Sequence, residues 1–227
     1  MSETILVVAA HADDEVLGCG GTLARHAQEG DMVHVVFLAD GVGSRSFTPP
    51  SARCRELQER KNAAVEAQRI LGIQSAHYLD FPDNRLDSLP LLDIVQALES
   101  VLKKIAPQVI YTHHHGDLNI DHRIAHEAVL TACRPQPGES VQAIYAFEVM
   151  SATEWNAPAA EPFLPQMHVN IAPFLDKKIA ALTAYHEEMR APPHSRSLEH
   201  LRALAVHRGM SAGVEAAEAF MVVRMLR

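Results

Sequence analysis

The chain contains few of the residues on which several common protein classes depend. Its three cysteines, at positions 19, 54 and 133, are too scattered for a disulfide framework or a Cys-x-x-Cys metal site. No apolar run approaches the roughly 18 residues of a membrane span, and the first residues lack the basic segment and long apolar stretch of a secretory signal. These absences predict a cytoplasmic protein without a membrane span.

Positive charge and aromatic side chains are also scarce. The 20 lysine and arginine residues are outnumbered by 28 acidic residues, which gives a formal net charge of -8. Such a surface repels phosphate backbones and anionic lipids, so we expect neither nucleic acid nor membrane partners. Aromatic residues make up 5% of the chain, with one tryptophan, which disfavours a long groove of stacked rings for a polysaccharide. A small-molecule substrate suits this composition better.

Histidine, by contrast, is abundant. The chain has 14 histidines, and three of them are consecutive at positions 113–115. Histidine binds metals, transfers protons and makes ordinary hydrogen bonds, so its abundance alone identifies no function. The positions of the histidines relative to the predicted strands and helices must decide which of them form a site.

The first part of the chain alternates between two patterns. Short runs rich in Val, Ile and Leu predict strands at residues 5–9, 33–38, 77–79 and 109–112. Segments of helical period lie between them, including residues 51–71 and 89–105. This alternation predicts parallel βαβ units, and hence an α/β fold, a Rossmann-like three-layer sandwich with a mostly parallel sheet, through about residue 135.

The pattern changes after residue 135. Further strands are predicted at 141–147, 167–171 and 220–223, and further helices at 174–189 and 197–208. No flexible Gly/Ser linker separates the two parts. We therefore expect a single domain over residues 1–227, in which a C-terminal extension of about residues 136–227 completes the site.

Each of the first four predicted strands is followed by polar residues. The polar clusters lie at 11–15, 40–41, 80–85 and 113–122. Because the carboxyl ends of parallel strands meet at one edge of an open sheet, clusters that are distant in sequence should converge there. This coincidence predicts a single site.

The first cluster, residues 11–15, reads His-Ala-Asp-Asp-Glu and is followed by Gly-Cys-Gly-Gly at 18–21. The Gly-x-Gly-x-x-Gly spacing of a nucleotide-binding loop is missing, and three carboxylates would repel a pyrophosphate. Imidazole and carboxylate together suit a divalent cation, and an adjacent carboxylate that does not bind the cation can accept a proton from water.

The fourth cluster contains further candidate ligands. Asp117, Asn119 or Asp121 should cap a helix that begins nearby, which places His122 and His126 on one helix face at i and i+4. This spacing suits a metal site, and it equally suits a His126 that only packs. Alternate residues that leave a strand point in opposite directions, so residues 113–115 cannot all enter one site.

Three segments together, namely residues 11–15, the Leu-Gly-Cys-Gly-Gly-Thr of 17–22 and the Asn-Ile-Asp-His-Arg of 119–123, resemble the LmbE/PIG-L family of zinc-dependent N-deacetylases. Members remove acetyl groups from N-acetylated amino sugars or their conjugates. The resemblance implies that His11, Asp14 and His122 bind Zn²⁺, with another divalent metal as the alternative. It also implies that zinc activates water for attack on an acetamide, with Asp13 as the general base.

The same resemblance implies supporting roles for neighbouring residues. Asp121 is expected to orient an imidazole, Glu15 to steady the loop, and His126 to support the ligands or to pack. Two positions depart from the family pattern. Ala12 replaces a usual proline, and Asn119 stands where several members have a histidine that helps to stabilise the tetrahedral intermediate. An asparagine can donate a hydrogen bond there but cannot act as an acid.

Residues 192–197, Pro-Pro-His-Ser-Arg-Ser, resemble a His-x-Arg-Ser signature of a subgroup of the family. His194 and Asp13 are then two candidates to protonate the leaving amine, and Arg196 is a candidate to bind substrate. The alternative is a plain turn between helices, with Ser197 as the cap of the second helix.

The other candidate substrate-binding residues are Asn119, Arg45 and Arg85. The two arginines follow the second and third strands and could pair with a phosphate or uronate on the substrate, although solvated loop arginines are the alternative. Two other functions suit the same residues. These are metal-dependent hydrolysis of a non-sugar amide and non-catalytic binding of a sugar or nucleotide in a Rossmann-like crevice. The family resemblance also allows a homo-oligomer.

Overall fold

The computed structural model describes residues 2–43, 50–157 and 161–226. Within them, seven strands form one sheet: β1 (Thr4–Ala9), β2 (Met32–Ala39), β3 (Ser75–Phe81), β4 (Val109–His113), β5 (Ala143–Phe147), β6 (Met167–Asn170) and β7 (Ala217–Met225). Six α-helices accompany them: α1 (Asp14–Glu29), α2 (Pro50–Leu71), α3 (Leu91–Ile105), α4 (Ile120–Ala132), α5 (Leu175–Ala184) and α6 (Leu198–Ala212).

The sheet has the order β3-β2-β1-β4-β5-β7-β6. The first five strands in this order run parallel, and β7 pairs antiparallel with both β5 and β6. The prediction of an α/β fold with a mostly parallel sheet and helices on both faces is therefore confirmed. The boundary near residue 135 and the single domain stay predictions, although the sheet continues through that boundary.

The central strand β1 shows why the sheet is covered on both sides. Ile5 and Val7 face a core formed with α1, α2 and α5, whereas Leu6 and Val8 face a second core formed with α3 and α4. All four side chains are fully buried. Alternate residues of a strand point to opposite faces, so the unbroken apolar run of β1 requires a helical layer on each face.

The position of β1 between β2 and β4 also sets the place of the site. Connections from β1 lead to β2 on one side and eventually to β4 on the other, so a crevice opens at the carboxyl ends of these strands. The chain leaves β1 directly into His11, and β4 ends at His113. The topology therefore brings together polar clusters that are about a hundred residues apart in sequence.

Helix α1 contains a break that the periodicity did not predict. Cys19 has non-helical angles (φ -143, ψ 17), and the helix resumes at the glycines. Glu218 of β7 accepts hydrogen bonds from the backbone N–H groups of Gly21 and Thr22, at 2.9 and 2.7 Å. Lys178 of α5 donates to the Leu17 carbonyl and to Glu218, at 2.9 and 2.6 Å. This buried ion pair satisfies the backbone groups that the break exposes.

Several predicted boundaries differ from the observed ones. The helix predicted over 174–189 ends at Ala184, and a short 3-10 turn (His186–Glu188) follows. At Tyr185 the backbone leaves the helix, and the side chain is buried at the site. Ser197 caps α6, as the turn hypothesis required, by accepting a hydrogen bond from the His200 N–H. Among the described residues, no helix combines the length and the apolar character needed to cross a membrane.

The glycines of α1 pack against the sheet and its neighbours. A Cβ atom on Gly18 would lie 2.3 Å from Cδ2 of Phe147, and one on Gly21 would lie 2.8 Å from Cβ of Ile171. The glycine-rich segment therefore allows close packing of the helix, which gives a physical reason for these glycines that involves no phosphate.

We expect Gly18→Ala to destabilise the fold by about 1 to 3 kcal/mol, because the added methyl group overpacks a buried ring. Thermal or urea denaturation measures this loss. Phe147→Ala is the matched partner, since it removes the ring that the new methyl group meets. The Gly18→Ala/Phe147→Ala variant should be less destabilised than the sum of the two single variants. Strictly additive losses would show that the contact is not the cause.

Candidate active site

Three of the predicted ligands meet at the carboxyl end of the sheet. His11, Asp14 and His122 each offer one ligand atom, and these atoms lie within 4.8 Å of one another. Oδ2 of Asp14 is 3.2 Å from His11 Nδ1 and 3.4 Å from His122 Nε2. His11 follows β1, Asp14 begins α1 and His122 lies in the first turn of α4. Residues of two distant segments thus form one buried cluster.

His122 is held in the orientation that metal binding requires. Its Nδ1 donates a hydrogen bond to Asp117 Oδ2 at 2.8 Å, and Nε2 has no hydrogen-bond partner among the described residues. Thr153 donates to the other oxygen of Asp117 at 2.6 Å. A carboxylate that binds one ring nitrogen fixes the tautomer, so the lone pair of the other nitrogen faces the centre.

His11 is oriented in the same way. Its Nε2 lies 3.1 Å from the carboxylates of both Asp83 and Asp121, and its Nδ1 faces Asp14. Asp121 also accepts hydrogen bonds from the backbone N–H groups of Asn84 and Leu86, at 2.7 and 3.0 Å. Asp121 thus contacts the imidazole of His11, whose Nδ1 faces Asp14, and the orienting role expected of Asp121 stays a prediction.

The centre contains buried polar atoms that the protein itself leaves without partners. Oδ1 of Asp14 and Nε2 of His122 are both buried and make no hydrogen bond to the described residues. Burial opposes ionisation of Asp14, but His122 and His113 outweigh it and hold the pKa of this carboxyl well below its usual value. An ionised carboxylate and two oriented imidazoles form a donor set that suits a divalent cation.

Asp13 lies beside these ligands and is held by a different set of contacts. Its Oδ2 accepts a hydrogen bond from Arg196 Nη1 at 2.8 Å, and its backbone has φ 131, in the region that favours glycine. Burial raises the pKa of Asp13 to about 6, an effect that Arg196 opposes and Asp14 adds to. A strained backbone and a pKa near neutrality are common at sites where a carboxylate accepts a proton.

The loop between β1 and α1 is fixed from three directions. Glu15 is fully buried and accepts hydrogen bonds from the Asp13 backbone N–H at 2.9 Å and from the Tyr185 hydroxyl at 2.7 Å. Burial raises the pKa of Glu15 to about 8. Arg60 donates to the carbonyl of Ala12 at 2.7 Å. This contact constrains the loop at the position where the family usually has proline.

The remaining histidines of the fourth cluster point in different directions. The Ala10 N–H donates to His113 Nε2 at 2.8 Å, and His113 stacks on His122 with ring centroids 3.9 Å apart. His126 donates through Nδ1 to the His113 carbonyl at 2.8 Å, and it is absent from the ligand cluster. His114 and His115 turn toward residue 161. One of the three consecutive histidines therefore reaches the centre.

The predicted substrate-binding residues are more dispersed. Asn119 caps α4 by accepting from the Asp121 N–H at 2.9 Å, and its amide nitrogen donates to Asn84 at 3.1 Å. Arg85 is exposed. His194 is also exposed, and its Nδ1 accepts from the Arg196 N–H at 3.0 Å. Arg45 lies outside the described residues. The substrate-binding and proton-donating roles of these side chains stay predictions.

Sequence reasoning missed several residues that contact the site, among them Asp83, Asp117, Arg60 and Glu188. Asp83 and Asp117 contact the two histidines of the candidate ligand cluster, while Arg60 and Glu188 pair with each other beside Asp13. Asp83 lies in the polar cluster after β3, so strand ends gave a signal for it. Asp117 was considered only as a helix cap. Nothing in the local sequence around Glu188 indicated its proximity to Arg196, from which its carboxylate lies 3.9 Å away.

A cavity of about 630 Å³ opens beside the site, between α2 and the end of α5. Val42, Arg60, Tyr185 and Glu188 are among its lining residues. Arg60 also contacts the loop that carries Asp13, so the cavity lies next to that loop, but none of the three candidate ligands lines it. Its volume is within the range of pockets that hold small molecules, which is roughly 300 to 1,000 Å³.

Fold and geometry thus define a three-layer α/β protein with a candidate metal-dependent hydrolase centre. A family model described as PIG-L, GlcNAc-PI de-N-acetylase, matches residues 6–133. The matched region is more than half of the chain and contains all three candidate ligands. The chain belongs to the PIG-L (LmbE-like) family, and the predicted family is confirmed.

Curated relatives carry two kinds of name. The chain is similar to an uncharacterised deacetylase, YaiS, of Escherichia coli K12, with 31% identity over 78% of this chain and 88% of the relative. It is 27% identical to a probable N-acetyl-alpha-D-glucosaminyl L-malate deacetylase of Bacillus cereus, over 84% of this chain and 86% of the relative. A 4-oxalmesaconate hydratase of Pseudomonas putida is 30% identical, over 92% of this chain and 81% of the relative.

Solved structures share the fold. A conserved protein of Thermus thermophilus aligns with a TM-score of 0.77 and 28% identity, over 100% of this chain and 97% of that chain. An N,N'-diacetylchitobiose deacetylase of Pyrococcus horikoshii aligns with a TM-score of 0.80 and 19% identity, over 98% and 84% of the two chains. At 19% identity this second likeness concerns the fold alone.

We expect the wild-type chain to bind one equivalent of divalent metal at this centre and to melt higher when loaded. A ligand at 100 times its Kd stabilises a protein by about 2.7 kcal/mol, which corresponds to roughly 5 to 10 °C for a chain of this size. His122→Ala should abolish both effects, whereas His207→Ala, at an exposed position of α6, should abolish neither. Metal analysis after dialysis and thermal melts measure the difference. Full metal binding by His122→Ala would place the metal elsewhere.

Proposed function

We propose that this chain is a zinc-dependent deacetylase that releases acetate from an N-acetylated amino sugar or glycosyl conjugate. One observation carries the proposal. Asp14 Oδ1 and His122 Nε2 are buried without hydrogen-bond partners among the described residues, in a cluster whose imidazoles are oriented by carboxylates. Asp13, the residue before Asp14, holds a second carboxylate beside this cluster. A cation site directly beside a positioned carboxylate is the arrangement that metal-assisted amide hydrolysis requires.

His11, Asp14 and His122 would hold the metal in this proposal. A divalent cation at this position supplies Lewis acidity that polarises an amide carbonyl and acidifies water. The tautomers set by Asp117 and by the Asp83 and Asp121 pair leave one nitrogen of each histidine facing the centre. The side chains therefore do not need to reorganise when the cation binds.

Asp13 would accept the proton of the attacking water while the water oxygen bonds to the carbonyl carbon. The amide C–N bond then breaks, and the leaving nitrogen needs a proton. Asp13 can return the proton that it has taken, and His194 on the loop that carries Arg196 is the other candidate. The products are acetate and a free amine, so no further reactant is needed. The buried position of Asp13 and its pKa of about 6 support the first step.

The choice of an N-acetylated sugar is supported by the family description and by the Bacillus relative, whose name contains an N-acetylglucosaminyl group. The adjoining cavity is large enough for a sugar ring and its substituent. Arg85, Arg196, Asn119 and, outside the described residues, Arg45 are the proposed contacts to the polar groups of this substrate.

The Pseudomonas relative favours a second candidate, because it is named a hydratase and matches 92% of this chain. A cation and a carboxylate that activate water can add that water to a double bond as well as to an amide carbonyl. The reaction would then release neither acetate nor an amine. The two candidates therefore differ in a product that is easy to measure.

Location and assembly belong to the same proposal. The three cysteines are all free, which supports a reducing, cytoplasmic environment. Val222, Met225 and Leu226 expose apolar side chains at the end of β7, which supports a homo-oligomer formed through this part of the chain. Light scattering of the purified protein tests the second point.

Asp13→Asn should lower kcat by about 10²- to 10⁴-fold, because the amide cannot accept the proton. Asparagine keeps the size and shape of the aspartate side chain, so the backbone at φ 131 and the bound metal should be unchanged. Asp176→Asn, at an exposed position of α5, is the matched control. Acetate release and metal content are measured together. Near-normal turnover by Asp13→Asn would show that another group is the base.

The substrate class is tested by incubating the zinc-loaded protein with a panel of compounds. The panel contains N-acetylated sugars, sugar nucleotides, glycosyl conjugates, N-acetylated amino acids and 4-oxalmesaconate. Acetate release from the sugar compounds is expected. Release only from the amino acids would support a non-sugar amide hydrolase, and consumption of 4-oxalmesaconate alone would support the hydratase.

A further inference from the structure

A short turn after β5, residues 149–154, contacts two parts of the site through two hydroxyl groups. One part is the candidate ligand cluster with His122, and the other is the candidate base Asp13 with Arg196. We propose that this β5 turn positions the two parts separately: Thr153 aligns the ligand His122 through Asp117, and Ser151 aligns Asp13 through Arg196. Both are positioning residues, since each acts through another side chain. The Ser151 half rests on the proposed function, whereas the Thr153 half rests only on metal binding.

The hydroxyl of Thr153 has one possible hydrogen-bond direction. The backbone N–H of Val149 donates to Thr153 Oγ1 at 2.8 Å, so the hydroxyl proton is free to point at Asp117 Oδ1, 2.6 Å away. Asp117 is fully buried, and its second oxygen accepts from His122 Nδ1 at 2.8 Å. Hydrogen bonds therefore link a backbone amide, through Thr153 and Asp117, to the imidazole whose Nε2 faces Asp14, and Asp117 accepts from both Thr153 and His122.

Ser151 acts on the other part of the site. Its Oγ accepts a hydrogen bond from Arg196 Nε at 2.8 Å, and Nη1 of the same guanidinium donates to Asp13 Oδ2 at 2.8 Å. A guanidinium is planar and rigid, so fixing the direction of Nε also fixes the direction of Nη1. The Arg196 side chain is 20% exposed, and without Ser151 it gains freedom to turn toward solvent.

The turn itself is firmly held, which a positioning element requires. The backbone N–H groups of Ala152 and Thr153 both donate to the Val149 carbonyl, at 3.1 and 2.9 Å. The N–H of Ser151 donates to the carboxylate of Glu154 at 2.7 Å, which supports its positive φ of 68. The segment before α4 is attached too, since the Leu118 N–H donates to the Ala152 carbonyl at 3.0 Å.

Thr153→Val tests the first half, because it removes the hydroxyl and keeps the shape. We expect metal affinity to fall by about 10- to 100-fold, the usual effect of removing a group that orients a ligand. Thr153→Ser should restore affinity to near the wild-type value. Thr183→Val is the matched control, since the Thr183 hydroxyl donates to the Ile179 carbonyl on an exposed face of α5. Competition with a chromogenic chelator gives the Kd for Zn²⁺.

Circular dichroism and a melt of the metal-free form show whether each variant folds. If Thr153→Val is unfolded, Thr153→Ala takes its place, with the same loss expected and the same rescue by serine. A folded variant without the hydroxyl that binds Zn²⁺ as tightly as the wild type overturns the Thr153 half. Equal weakening in Thr153→Ser overturns it as well.

Ser151→Ala tests the second half and should give the opposite pattern. Metal affinity should stay within about twofold of the wild type, while kcat for acetate release falls about 10-fold or more, because Asp13 is displaced from its productive position. Weakened metal binding, or an unchanged kcat, overturns this half. If the wild type releases no acetate from any compound of the panel, the proposed function fails together with the Ser151 half. The Kd for Zn²⁺ still decides the Thr153 half in that case.

Discussion

The structure of the site depends on the burial of five aspartate side chains at one edge of the sheet. Asp13, Asp14, Asp83, Asp117 and Asp121 are each at most 3% exposed, and a buried carboxylate is costly unless hydrogen bonds or opposite charges compensate it. Backbone N–H groups, imidazoles, hydroxyls and a guanidinium supply most of this compensation. Within the described part of the chain, Oδ1 of Asp14 is the one oxygen of these five side chains that is buried without a hydrogen-bond partner. A divalent cation would meet this remaining requirement, so the same constraint that shapes the protein also favours metal binding.

That constraint explains why residues beyond 135 are integral to the centre. Tyr185 donates to Glu15, Arg196 pairs with Asp13, and Thr153 supports Asp117. The β1–α1 loop would leave its acidic groups poorly compensated without these donors. The buried pair of Lys178 and Glu218 has a related effect lower in α1, because it satisfies backbone groups on either side of the helix break. Strands that lie near the C-terminus thus stabilise a loop that lies near the N-terminus.

The predictable part of this architecture follows from local patterns. The apolar runs of the first four strands predicted the sheet, and the polar residues after each strand predicted a site at one edge of it, whereas the family resemblance implied His11, Asp14 and His122 as the metal ligands. Patterns of this kind depend on strand order only weakly. The positions of the missed residues depend on tertiary structure. Asp83 reaches His11 because β3 and β1 present their carboxyl ends to one crevice. Glu188 approaches Arg196 because the helix predicted over 174–189 ends early, before Tyr185. Contacts set by tertiary packing leave no periodic signal.

The candidate centre is buried, whereas the residues around its opening, here called the rim, are exposed. This difference in burial suggests how proteins of similar sequence can include deacetylases and a hydratase. At the centre each candidate ligand is fixed by more than one contact, so its substitution is expected to disturb stability and metal binding together. Arg85 and His194 at the rim are exposed and take no part in the network of buried carboxylates. Changes at such positions alter the groups that meet a substrate at little cost in stability. Under the proposed function, water activation can therefore stay the same while the bond that receives the water changes, so the choice of substrate is expected to depend on these exposed positions around the centre.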